Sequence, residues 1–317
     1  MKKFLAILLA AMMLLSVASV AMADEPTYTD VISVTIHKAY KLIGEGTSPA
    51  ETFTLEQVGD GEVTDGEATT APALDTITGA AFAEGAATAD GATADIIIQL
   101  PSYEHVGVYE YTLREVVGAT AGVTYRTADI KLVVTVVEEN GLKRIAAVHT
   151  ESEGTKSDTF ENTYSAGKLN VTKTVTGNLG DKTKYFEFKV TLTGESGKTC
   201  GASYAVTGGS YADNPTSIEI GEETTFYLKD GDTITIENLP YGVSYTVTET
   251  EAEGYTTTQT DDTGTISAAA QTADFINNKT GEIDTGVVLD TLPYVLVLAV
   301  VGAAVIAMIA KKRNAED

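Results

Sequence analysis

The sequence predicts an all-β protein, two tandem antiparallel β-sandwiches set between terminal segments of another kind. Three observations carry this. The body is rich in Thr, Val, Tyr and Gly, with apolar and polar residues alternating between frequent turn residues, as in half-buried strands. Its segments also recur in pairs. The openings SVTIHKAYKL (33–42) and KLNVTKTVTG (168–177) match, as do the middles QLPSYEHVGVYEYTLRE (99–115) and NLPYGVSYTVTE (238–249) and the endings DTFENTY (158–164) and ADFINNK (273–279). Finally, about 260 residues between the two ends give room for two domains of ordinary size.

In chain order, Lys2 and Lys3 precede an apolar run, Phe4 to Val20, that closes in Ala21-Met22-Ala23. A basic, then apolar, then small-x-small order is that of a secretory signal peptide, here residues 1–23. The first sandwich is expected over 24–165. It includes a Gly/Ala/Thr/Asp-rich stretch, Gly59 to Asp95, read as an extended loop with at most short strands. Ser165-Ala166-Gly167 serves as a short linker, and the second sandwich is expected over 166–281. Residues 282–286 read EIDTG. Over 287–317 no charge falls between Thr291 and Ala310, and Lys311, Lys312 and Arg313 follow. That run predicts a transmembrane helix with a basic cytoplasmic tail, leaving nearly all of the chain outside the cell.

Composition narrows the function. A net charge of −24 repels nucleic acid and anionic lipid, so neither is expected as a ligand. Cys200 is the single cysteine, so an exported chain has no internal disulfide to stabilise it. His37, His105 and His149 are too dispersed for zinc chemistry. The acidic run GDGEVTDGE lacks EF-hand spacing and reads as a solvated loop. No Ser/His/Asp set, phosphate loop or metal-ligand cluster supports an exported enzyme. No cofactor and no metal are expected.

Strand parity singles out six polar residues. In a strand, residues two apart share a face. Lys38 falls with Val34 and Ile36, and Lys173 with Leu169, Val171 and Val175. Glu115 follows Tyr109, Tyr111 and Leu113, and Glu249 follows Val243, Tyr245 and Val247. Asn162 lies between Phe160 and Tyr164, and Asn277 follows Phe275. Each unit therefore places a Lys, a Glu and an Asn on its apolar side, in that order. One reading is a buried Lys–Glu pair with Asn as a further partner, or long side chains reaching water at strand ends. The other is a covalent bond between Lys Nζ and Asn Cγ, and recurrence of all three types in both units favours it. Burial lowers the pKa of an amine and raises that of a carboxylic acid. A neutral amine is a nucleophile, and a protonated carboxyl polarises an amide and relays protons as ammonia leaves.

With these residues in view, the chain resembles Gram-positive surface proteins built from collagen-adhesin B-type (CnaB-like, Ig-like) domains. It is most similar to streptococcal-type major pilin backbone subunits with two such domains. The motifs are VTIHK, YEYTLRE and DTFEN in the first unit, and VTKTV, YTVTE and DFIN in the second; FYLKDGDTITIENLPYGVSYTVTE (226–249) is the most family-like run. The resemblance implies intramolecular isopeptide bonds Lys38–Asn162, assisted by Glu115, and Lys173–Asn277, assisted by Glu249. Lys41 and Asn278 are neighbours of the wrong parity. The tail resembles a cell-wall sorting signal formed by Glu282, Ile283, Asp284, Thr285 and Gly286, with Asp284 where the family keeps proline. By this resemblance a pilin-class sortase attacks the Thr285 carbonyl and passes it to an amine of peptidoglycan, of a basal pilin, or of another copy. Lys156, read as lying in a polar turn just before the last strand of the first unit, is the favoured linking lysine, with Lys143 and Lys182 as other exposed candidates. The implied role is a shaft pilin on the cell surface; the alternative is a monomeric wall-anchored adhesin that binds a partner through Gly59–Asp95.

Overall fold

The structure, a computed structural model, describes residues 31–282 and 292–313. The signal peptide expected over 1–23 and the sorting residues Ile283, Asp284, Thr285 and Gly286 lie outside the described residues. Contacts divide the chain into two compact units, the first comprising residues up to Ile43 and Thr47–Ser165, the second Gly44–Gly46 and the chain from Ala166 onward. Each is built mostly of β-strands joined by turns and irregular chain.

In the first unit, one sheet contains β1 (Ser33–Gly44), β7 (Ala92–Gln99) and β5 (Ile77–Thr78). On its other side β1 neighbours β13 (Thr159–Thr176), whose early residues also pair with β9 (Val123–Thr124). The second sheet runs β12 (Thr155–Lys156), β11 (Leu142–Ser152), β10 (Ile130–Glu139), β8 (Gly107–Glu115) and β3 (Leu55–Gln57), with β4 (Glu62–Gly66) also on β8. A small pair, β2 (Glu51–Phe53) and β6 (Ala80–Phe82), completes the unit. The alternation read from the sequence places Ile36, Tyr40, Ile96 and Ile98 of the first sheet in the core with Tyr109, Tyr111 and Leu113 of the second. Asn140 and Gly141, both at positive φ, form the two-residue turn between β10 and β11. Such a turn matches the right-handed twist of paired strands, which is why Asn-Gly is favoured there. Glu153 and Gly154 repeat the geometry between β11 and β12.

The stretch Gly59–Asp95 contains β4, β5, β6 and the start of β7, joined by irregular chain. Its strands before β7 are five residues or shorter, in keeping with a loop-rich composition.

The second unit repeats the plan. The later residues of β13 pair with β18 (Thr233–Pro240), which continues to β15 (Ser203–Gly208) and β16 (Ser217–Glu219). On the other side of β13 lies β22 (Ala270–Asn278), in parallel, followed by β20 (Thr256–Thr260). The second sheet is β17 (Glu223–Leu228), β14 (Phe186–Thr193), β19 (Ser244–Glu249) and β21 (Thr263–Thr265). Phe188 sits at the centre of its core, stacked on Phe226 at 5.4 Å and edge-on to Phe275 at 5.1 Å. First and last strands of the unit are thus neighbours, an arrangement that hairpins alone cannot produce and that sets up the site below.

Among the described residues, the α-helix α1 (Leu292–Arg313) falls where the sequence predicts a membrane span. Among the described residues no helix is long and apolar enough to cross a membrane. The expected span also includes residues 287–291, which lie outside those described.

The aromatic stack gives a test of the core. Phe226→Ala removes a fully buried ring, and large-to-small changes of this kind cost about 3–5 kcal/mol. The expected outcome is a lower urea midpoint for the second unit with the first unit's transition unchanged.

Candidate functional site

The parity argument places Lys38 between Ile36 and Tyr40 on the inward face of β1, and the side chain is 1% exposed. A buried ammonium or amine needs partners, because leaving it unpaired is costly. Lys38 Nζ donates to Glu115 Oε2 from the opposite sheet, and to Asn162 Oδ1 on neighbouring β13 at 2.7 Å. Asn162 Nδ2 in turn donates to Glu115 Oε1 at 2.5 Å. The three side chains form a closed triangle in which each touches the other two. The peptide N–H of Arg126 adds a further donor to Glu115 Oε1 at 3.1 Å. The Phe53 ring lies 5.3 Å from the amine.

The second unit assembles the same three residue types. Lys173 is 1% exposed, and its Nζ donates to Glu249 Oε2 at 2.7 Å. Glu249 belongs to β19, where it pairs with Phe188 of β14. Asn277 Nδ2 donates to Glu249 Oε1. The parallel register sets Lys173 beside Phe275 and Val175 beside Asn277, so amine and amide occupy neighbouring strands on one face. Phe186 and Phe188 pack under the amine, with centroids 4.4 and 5.6 Å from Nζ. Asn277 Oδ1 is buried without a hydrogen-bond partner. In the first unit the equivalent oxygen accepts from the lysine.

Burial pushes the pKa of both Lys38 and Lys173 down from the ordinary lysine value, against the opposing pull of Glu115 and Glu249. Around Lys38 a neighbouring cation, Arg126, adds to the lowering. The geometry therefore places an amine biased toward its neutral form against a carboxylate and a carboxamide. That set can move a proton and form an amide with loss of ammonia. A hydrogen-bonded ion pair alone uses the same contacts.

The rival residues fall elsewhere. Lys41 points outward to Glu161 at 3.1 Å, and Asn278 to the Thr176 hydroxyl at 2.9 Å. Lys156 lies on the two-residue strand β12 rather than in a turn, because Ser152 and Thr155 pair across Glu153-Gly154 and extend the β11 ladder. It is exposed and, among the described residues, forms no ion pair. Lys143 is paired with Glu138, and Lys182 with Asp230 at 3.2 Å. Glu282 is exposed at the end of the second unit's described chain. Among the described residues no three His, Cys, Asp or Glu side chains gather as metal ligands would. Sequence reasoning passed over the rings beneath the amines and Arg126. The FEF alternation of Phe186–Phe188 was a usable signal for the rings; nothing local marks Arg126.

Comparison with known proteins gives this geometry a family. Residues 35–165 match the model of a Spy0128-like isopeptide containing domain, and residues 167–279 that of a domain of unknown function, DUF7601. The chain is 30% identical over 248 residues to a pilin of Streptococcus pyogenes serotype M1, covering 70% of this chain and 72% of that protein. A shorter match, 39% identical over 88 residues, is to the pilus tip adhesin Cpa of Streptococcus pyogenes and covers 28% of this chain and 12% of that one. The crystal structure of the major pilin from Streptococcus pyogenes is similar with a TM-score of 0.54 and 25% identity, over 80% of this chain and all of that one. The chain belongs to the streptococcal pilin family.

Proposed function

We propose that this chain is the shaft subunit of a covalent surface pilus, assembled from copies of itself and stiffened by an internal Lys–Asn bond in each unit. The observation that carries the reading is the recurrence, in two units, of a buried lysine amine against a glutamate that also binds an asparagine amide. In the proposed step Lys Nζ attacks Asn Cγ and an Nζ–Cγ bond forms. The Cγ–Nδ2 bond breaks, and the glutamate carries the proton from the amine to the departing nitrogen, which leaves as ammonia. Each unit turns over once, on itself, so the protein is not an enzyme acting on other molecules. Folding has already brought the groups together, which replaces a bimolecular encounter.

By analogy with cross-links that close loops of about 100 residues, each bond contributes about 4–5 kcal/mol through the unfolded state. Its mechanical effect is more direct. In the second unit it joins parallel neighbours β13 and β22, the first and last strands. Force applied along the chain then loads a covalent tie instead of shearing the ladder.

The rest of the reading concerns assembly. Residues 1–23 direct export, and 287–317 hold the chain at the membrane until a pilin-class sortase cuts between Thr285 and Gly286. The Thr285 acyl group passes to Lys156 of another copy, or to peptidoglycan or a basal pilin at the foot of the fibre. Support for Lys156 comes from its exposure and its freedom from ion pairs among the described residues.

Intact mass of the 24–285 segment is expected to fall two ammonia molecules short of the calculated value, and a full calculated mass would refute both bonds. Glu249→Ala is expected to leave a deficit of one, and an unchanged deficit of two would remove Glu249 from the chemistry.

In cells with the cognate sortase, wall extracts should run as a high-mass ladder on denaturing gels, and Lys156→Ala should collapse it. A single band from the unaltered protein would instead fit a monomeric wall-anchored adhesin.

The lysine environments predict a pH dependence once the bonds are blocked by Asn162→Ala and Asn277→Ala. A lysine whose folded pKa is depressed binds fewer protons folded than unfolded. Stability therefore rises with pH toward the ordinary value of 10.5 and is lost as pH falls through the depressed one. Denaturant midpoints measured against the same chain carrying Lys38→Met and Lys173→Met should show this slope, and parallel profiles would contradict it.

A further inference from the structure

We propose that Asp230 is a positioning residue for the second unit's cross-link, its carboxylate holding β13 at Val175 so that the Lys173 amine stays in register with Asn277 on β22. The inference rests on the cross-linking reading above. β17 ends at Leu228 and β18 begins at Thr233, and the turn between them is Lys229-Asp230-Gly231-Asp232. The Asp232 N–H donates to the Lys229 carbonyl at 3.0 Å, and Gly231 takes φ +81°, a conformation that favours glycine. The Asp232 carboxylate fixes the turn further, accepting from the Lys229 N–H at 3.1 Å and from the Ser210 hydroxyl at 2.7 Å. This turn grips the backbone of the reacting lysine. The Lys173 N–H donates to the Asp232 carbonyl at 3.0 Å, and the Gly231 N–H donates to the Lys173 carbonyl at 2.9 Å. Two residues on, Val175 has no strand residue of β18 to pair with, because that register ends at Thr172 and Thr233. Its N–H donates instead to Asp230 Oδ1 at 2.7 Å.

The carboxylate thus stands in for a missing strand at a place where register decides the chemistry. Val175 is 1% exposed, and a buried N–H left unpaired is costly. Across β22 it is paired with Asn277, one pair before the register ends at Thr176 and Asn278. Ladder ends open most readily, and here an opening would carry the asparagine's cross-strand partner away from Lys173. Asn277 and Lys173 meet through Glu249, so a shift of either strand separates amine from amide. The Val175 N–H, with Lys182 at 3.2 Å adding to it against the effect of burial, holds the Asp230 carboxyl below the usual carboxylate range. In the first unit the same place is held by main chain: β7 pairs with β1 at Lys38 and continues two residues beyond, to Tyr40 opposite Ala92. The first bond therefore serves as an internal control.

The test is the rate of each bond in the full chain made by cell-free translation, followed by digestion and mass analysis of the peptides joining Lys38 to Asn162 and Lys173 to Asn277. Asp230→Ala is expected to slow the second bond about tenfold, the scale of one lost hydrogen bond to a charged group, and to leave the first at its normal rate. Asp230→Asn, which keeps an acceptor oxygen for Val175, should retain most of the rate. Sucrose, which favours the folded state, should leave the alanine deficit in place. In the chain blocked by Asn277→Ala, Asp230→Ala should quicken hydrogen exchange at the Val175 amide while the Lys173 amide stays protected. A normal second-bond rate in Asp230→Ala would overturn the proposal, as would unchanged exchange at Val175. So would an equal loss in both variants, or a deficit that sucrose erases, the mark of lost fold stability alone. Absence of both cross-linked peptides from the unaltered chain would instead sink the cross-linking reading itself.

Discussion

A primary amine held at the centre of an apolar sandwich constrains everything around it. Water is excluded from Lys38 and Lys173, so each needs a partner from the opposite sheet, and in each unit that partner is a glutamate. A carboxylate buried in this way needs further donors of its own, and an asparagine amide from a neighbouring strand supplies one. Lysine must then sit on a first strand, asparagine on a last strand beside it, and glutamate across the core. The topology of each unit meets those conditions. Taken only as an ion pair, this would be a poor stabiliser, since desolvation offsets much of the attraction. Two such pairs in one chain are easier to understand as reactants than as ornaments of the core.

The two sites are related but not identical, and the differences are physical. Asn162 Oδ1 accepts directly from the lysine, whereas Asn277 Oδ1 is buried and unpartnered. Glu115 receives a backbone donor from Arg126, whose charge adds to the burial that lowers the Lys38 pKa. The amine in the second unit instead lies over two phenylalanine rings. Rings favour a cation through their faces, while an arginine disfavours one. Repetition of a motif thus need not mean repetition of its electrostatics.

Much of this was legible before any coordinates. Lys38, Glu115, Asn162 and their counterparts stand out because a strand has period two, so a polar residue on the apolar parity is visible in a string of letters. The Asn140-Gly141 turn is equally local. What could not be read depends on contacts between distant parts of the chain. Arg126 belongs to no strand and carries no periodic signal; only packing brings it beside Glu115. β12 escaped notice because two residues are too few to show alternation, and Lys156 therefore looked like part of a turn. The interior of Gly59–Asp95, with its short strands in a Gly- and Ala-rich sequence, takes its order from β7 and β8 rather than from its own pattern.

Burial sorts the lysines of this chain into two chemical kinds. Lys38 and Lys173 are inside, biased toward the neutral amine; Lys38 touches Asn162 directly, Lys173 shares Glu249 with Asn277, and the proposed reaction in each unit would need no outside catalyst. Lys156 is exposed to water, and among the described residues it forms no ion pair. A bond at such a position requires an activated acyl group brought to it, which is what the proposed sortase step provides. One sequence can then carry both internal and intermolecular amide links without confusion between them. The buried amines are out of reach of any enzyme once the sandwich closes, and the exposed one stays inert until an acyl donor arrives. On the proposed reading, that separation sets the order of events, with folding and internal linkage preceding polymerisation. Each subunit would enter the fibre already stiffened.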